Sequence, residues 1–183
     1  MSALAGRCAT ILAAMLLAAS HCAFASSTMA VRVLDWMIPV PAGWTPQVPS
    51  SPMRLAQFTA GSREGSADAA VFHFGLAGGG TVQENIDRWA SQVLAEGGKP
   101  ATPVVSKATA SGMPVTWVAL DGRYARGTGT GPQGEAAARQ SLRVAVLETP
   151  AGNLFFQLWG DRAAVARQEG VFRLMVQGLK RAP

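Results

Sequence analysis

Side chains able to do acid–base or nucleophilic chemistry are sparse in this sequence. It holds two histidines and two cysteines, and His21, Cys8 and Cys22 all precede residue 26. Beyond that point His73 stands alone. A histidine metal site draws on two or three imidazoles, so one is too few. A Ser-His-Asp relay needs only one, and Asp68, Asp87 and Asp121 are on hand. The turn that presents a nucleophilic serine reads G-x-S-x-G, and no such run occurs; H-E-x-x-H is also missing. His73 is therefore expected to be an ordinary strand histidine, hydrogen-bonded on a sheet face. With no thiol after residue 25, that part of the chain has no disulfide, thiolate nucleophile or zinc-thiolate site. No catalytic residue, metal or cofactor is assigned.

The glycine-rich run Gly127–Gly134 is the next candidate. A phosphate-cradling loop would end in Gly-Lys-Ser/Thr and open a helix. Here Pro132 follows Gly131, there is no lysine, and a strand pattern comes next. The run reads as a hairpin tip. Its flanks matter more: Arg123, Tyr124 and Arg126 precede it and Arg139 follows. If the flanking strands pair, guanidiniums gather at one end of a sheet beside a phenol. Arginine forks suit carboxylate and phosphate groups. These four residues form the candidate ligand-binding set. The competing reading has them solvated, with Asp121 and Glu135 as partners.

Strands and helices must hold this set in place. Met53–Thr59 and Ala69–Leu76 read as a hairpin, with Phe72, Phe74 and Leu76 on one face and Val71 and His73 on the other. Thr81 and Glu84 have capping-box spacing ahead of a helix to about Ala95, whose apolar stripe is Val82, Ile86, Trp89 and Val93. Glu84 and Arg88 are spaced for an ion pair on its polar side. Val104–Ala110 and Val115–Tyr124 form a second strand pair, followed by a loop over 125–138. Leu142–Glu148 and Asn153–Trp159 form a third. Asp161 is a plausible N-cap for a last helix to Lys180. Its inner stripe is Val165, Gln168, Phe172, Met175, Val176 and Leu179, with Gln168 the one polar member. Five prolines from Pro39 to Pro52, around Trp36 and Trp44, predict an extended, aromatic-anchored lead-in away from any central strand. The late strands are apolar on both faces, so the sheet should be covered on both sides. The fold class is α+β: a mostly antiparallel sheet with helices packed on it.

The first thirty residues carry a different message. Arg7 is followed by the apolar run Ala9–Ala19 and the small-x-small triplet Ala23-Phe24-Ala25. The run is shorter than the roughly 20 residues a membrane span needs. A basic start, a short apolar centre and an A-x-A end read as a secretory signal peptide cleaved before Ser26. Residues 1–25 are then the signal peptide and 26–183 a single globular domain in the periplasm or cell envelope, with no transmembrane helix. A lipid anchor on Cys22 is the weaker alternative, because Ala19 and His21 do not suit that processing.

The net charge is +5, and removing Arg7 leaves +4. The basic residues are scattered rather than clustered with aromatics, which argues against nucleic acid. An anionic envelope surface remains a candidate through long-range attraction.

Several short motifs carry a resemblance: Pro41-Ala42-Gly43-Trp44, Met53-Arg54-Leu55-Ala56-Gln57-Phe58, Asn85-Ile86-Asp87-Arg88-Trp89 with Gln92, and Phe155-Phe156 followed by Gly160-Asp161. Together with an element order of three strands, a helix, four strands and a helix, they resemble a group of uncharacterised exported bacterial proteins. That group is similar in turn to the PsbP-like fold, an α/β/α sandwich. The resemblance implies a fold and brings no catalytic residue. The expected function is a non-enzymatic binding or accessory module whose partner is an envelope protein or an anionic ligand. The alternatives are a small envelope enzyme using carboxylate or His73 chemistry, and a lipid-anchored structural protein.

Overall fold

The computed structural model describes residues 29–61, 65–76, 78–124 and 137–183. The signal-peptide reading and Cys22 lie outside these residues. The elements run β1 (Ala30–Val33), β2 (Trp36–Pro39), β3 (Trp44–Gln47), β4 (Arg54–Ala60), β5 (Ala67–His73), α1 (Val82–Gln92), β6 (Val93–Leu94), β7 (Val104–Ala110), β8 (Met113–Tyr124), β9 (Ala137–Leu147), β10 (Leu154–Asp161), α2 (Arg162–Gln177) and β11 (Lys180–Arg181). No helix among the described residues is long and apolar enough to cross a membrane.

Strand order in the large sheet is β3-β4-β5-β10-β9-β8-β6, with β7 on the same edge of β8 as β6. Every pairing is antiparallel. Each face carries its own core. On one, Val71, Trp117, Leu147, Phe156 and Leu158 meet Val165, Phe172 and Val176 of α2. On the other, Phe72, Leu120, Val144, Val146 and Phe155 meet Ile86 and Trp89 of α1. This is the two-sided, mostly antiparallel α+β sheet that the double apolar alternation predicts.

Both helices start where their caps say. Thr81 Oγ1 accepts from Glu84 N at 3.2 Å and Glu84 Oε2 accepts from Thr81 N at 2.7 Å. Asp161 Oδ1 accepts from the amides of Ala163 and Ala164. The expected Glu84–Arg88 ion pair does not form. The capping bond claims the carboxylate, and Arg88 turns to Asn85 instead. α1 is also shorter than its stripe suggests, because Val93 leaves the helix to begin β6.

The N-terminal lead-in needs correction. Beside the large sheet lies a three-stranded one, ordered β1-β2-β11. β2 is its middle strand, where the proline density had argued against any central strand. Pro39 is tolerated because it sits at the strand end. β3, which contains Pro46, does take an edge of the large sheet. Trp36 and Trp44 are both buried, as anchors should be.

Candidate functional site

β8 and β9 run side by side into the 125–136 connection. Their register is regular through Asp121↔Ser141 and Gly122↔Gln140, then slips so that Tyr124 faces Ala137. The slip is a β-bulge: between these pairs Arg123 of β8 spans the two β9 residues Ala138 and Arg139, the latter at φ +56°. On the other edge of β8, β6 pairs Leu94 with Arg123 and Val93 with Tyr124. Glycine is required at position 122, because a Cβ there would run into the carbonyl oxygen of Leu94. The end of the sheet is thus pinched from one side and bulged on the other.

This geometry divides the candidate set. Arg123 and Arg139 are exposed at the same end of the sheet. Tyr124 points to the opposite face and is buried in the α1-side core with Val93 and Leu120. Arg126 and Glu135 lie outside the described residues.

Asp121, considered above as a partner for Arg123, bonds across the strand pair. It accepts from Ser141 Oγ, and from Arg143 Nη1 at 3.0 Å. Arg143 Nε in turn donates to Glu169 Oε2 of α2 at 2.8 Å, and its Nη1 also reaches the carbonyls of Leu120 and Leu142, each at 3.2 Å. Arg173 closes the chain, donating to Glu169 Oε1 at 3.2 Å and lying 4.6 Å over the Trp117 ring. Burial alone would push the Asp121 carboxyl up. The Ser141 hydroxyl and Arg143 outweigh it and hold the group below its ordinary range, with Arg162 adding to the pull. Glu169 is balanced the same way: burial raises it, and Arg143 and Arg173 bring it down. Burial likewise works against the Arg143 charge, and the two carboxylates more than restore it.

His73 fastens the other end of β5. Its Nε2 donates to Ala151 O at 2.9 Å and its Nδ1 accepts from Gly75 N at 3.4 Å. Both ring nitrogens therefore serve the backbone of two turns. Among the described residues no three His, Cys, Asp or Glu side chains gather closely enough to hold a metal ion.

The motifs that carry the resemblance prove architectural. Asn85 is fully buried, and its amide donates to Gly79 O at 2.6 Å and Thr81 O at 2.8 Å, closing the loop ahead of α1. Arg88 holds that amide from below. Trp89 meets Phe155 edge-on at 6.2 Å. In Pro41-Ala42-Gly43-Trp44, Trp44 N donates back to Pro41 O at 3.1 Å across a turn whose Gly43 has φ +82°. Arg54 Nη1 donates to Gln57 Oε1 at 2.7 Å, which also receives Ser50 N at 3.1 Å.

No family model and no curated sequence matches the chain. Solved structures do resemble it. A cyanobacterial PsbP from Synechocystis sp. PCC 6803, CyanoP, superposes with a TM-score of 0.50 at 12% identity, covering 80% of this chain and 86% of that one. The fold is distantly PsbP-like. A Pseudomonas aeruginosa protein of unknown function, PA94, gives a TM-score of 0.45 at 15% identity, over 85% of this chain and 97% of that one.

Proposed function

We propose that the chain is an exported, non-enzymatic binding or accessory module of the periplasm or cell envelope, and that it engages an anionic group through the Arg123–Arg139 end of its sheet. The observation that carries this reading is the bulge. It brings two exposed guanidiniums to the same end of neighbouring strands of the sheet. Fixed arginine forks recognise carboxylate and phosphate oxygens in pairs. Arg162, at the start of α2, adds positive potential at the same end. His73 in a backbone-fastening role supports a module without acid–base chemistry. Export is supported by the signal-peptide pattern of residues 1–25.

The double reversal Arg123→Glu with Arg139→Glu tests the site. Tagged wild-type and variant proteins are used to recover partners from the envelope fraction at matched salt. Loss of the recovered partners, with an unchanged melting temperature, is the expected result. A variant that folds normally and recovers the same partners would retire the site.

A further inference from the structure

At the opposite end of α2 from the arginine pair lies an apolar groove of about 200 Å³. Pro39, Pro41 and Ala42 line one side, and Val171, Leu174 and Met175 the other. At 1.5 Å per residue, Leu174 is roughly 18 Å along the helix from Arg162. Leu174 is 65% exposed and Val171 37%. Met29, whose carbonyl accepts from Val40 N at 2.7 Å, adds a further exposed apolar side chain at the rim.

Exposed basic residues flank this groove. Arg167, one turn before Val171 on α2, is exposed and its Nη2 donates to Gly65 O at 3.1 Å in the turn before β5. Pro39 shares a strand face with Met37, and Met37 is paired with Arg32 on one side and Lys180 on the other. Both of these basic residues are exposed. The acidic groups nearby are directed elsewhere. Glu169 is held against the sheet by Arg143 and Arg173, and Asp35 is at the turn beyond the far end of β2.

We infer that this face docks on an anionic lipid bilayer, with Leu174 and Val171 entering the interface and Arg167, Arg32 and Lys180 meeting the headgroups. Apolar side chains ringed by basic ones give the two additive contributions that surface binding needs, buried apolar area and attraction to anionic lipid. The same charge disfavours a second copy of this chain as the occupant, since a two-fold contact would bring like charges together. The surface shares no residue with the Arg123–Arg139 end, so each proposal can fail alone.

The test is flotation of the residue 26–183 protein with vesicles of phosphatidylcholine, with and without about one third phosphatidylglycerol. The expected result is binding to the anionic vesicles only, weakened by added salt. Val171→Ser with Leu174→Ser, and separately Arg167→Glu with Lys180→Glu, should each weaken it on the order of tenfold or more. Arg123→Glu with Arg139→Glu should weaken it far less. Unchanged melting temperatures establish that the variants fold. No binding above the neutral vesicles, or binding untouched by both groove variants, overturns the inference. So does a vesicle-free dimer that Val171→Ser with Leu174→Ser dissolves, which would assign the groove to a second copy.

Discussion

The Trp44 indole Nε1 donates to Gln168 Oε1 at 2.9 Å, joining the start of β3 to the middle of α2 across 124 positions. Gln168 is the one polar member of an otherwise apolar stripe, and this bond is the reason it is there. Trp44→Phe alone should cost about 1–3 kcal/mol, because a part-buried amide oxygen loses its donor. Trp44→Phe with Gln168→Leu should cost less than the sum of the single changes. A urea-denaturation double-mutant cycle measures that difference, and strict additivity would refute the coupling.

Asn85→Ala should destabilise the fold by about 1–3 kcal/mol, since the carbonyls of Gly79 and Thr81 lose their shared donor. Asn85→Asp should be worse than Ala at neutral pH, because a carboxylate would face two carbonyl oxygens. Chemical denaturation of both variants ranks them.

Trp89→Ala removes the α1 anchor against Phe155 and should cost on the order of 3–5 kcal/mol. A loss below about 1 kcal/mol would mean the α1-side core does not depend on this ring.

Acid should act through Asp121 and Glu169. Both are depressed in the folded state, so their stabilisation is complete above the ordinary carboxylate values of about 3.9 and 4.3. It is lost as pH falls through the lower folded values. The melting temperature should hold steady from neutrality to about pH 5 and then decline. Glu169→Gln should shrink that decline while lowering stability at neutral pH. A variant that loses stability equally at both pH values would show that Glu169 contributes packing alone.

Export makes a separate prediction. The intact mass of the protein recovered from the periplasm should match Ser26–Pro183. A mature N-terminus at Cys22 carrying acyl chains would support the lipid-anchored alternative.

Much of this architecture can be read from local pattern. The α1 cap follows from Thr81 and Glu84, the α2 cap from Asp161, and the two-sided cover from strands apolar on both faces. The small sheet cannot be read this way, because β11 is two residues long and pairs with a strand over 140 positions earlier, leaving no periodicity to detect. The ion network is hidden for a different reason: in the sequence Arg143 looks like one more scattered arginine. Its signal is positional. It alternates with Ala145 and Leu147 on a face that α2 covers, and an arginine there requires an acid, which Glu169 supplies. At the sheet end, hairpin logic brings Arg123 and Arg139 together. It does not reveal that alternation sends Tyr124 to the other core.

The order β1-β2-β11 also bears on the moment at which the molecule can become complete. Arg181 lies over Trp36 at 4.8 Å, and Ala182 N donates to Asp35 O at 2.8 Å. One edge of β2 therefore waits for residues 180–182 to be synthesised. A chain assembled from its N-terminus keeps an unzipped strand bearing Trp36 and Ile38 until then. Ribosome-bound or C-terminally clipped forms are for that reason the ones most open to proteolysis, and to capture by chaperones that read unpaired apolar strands.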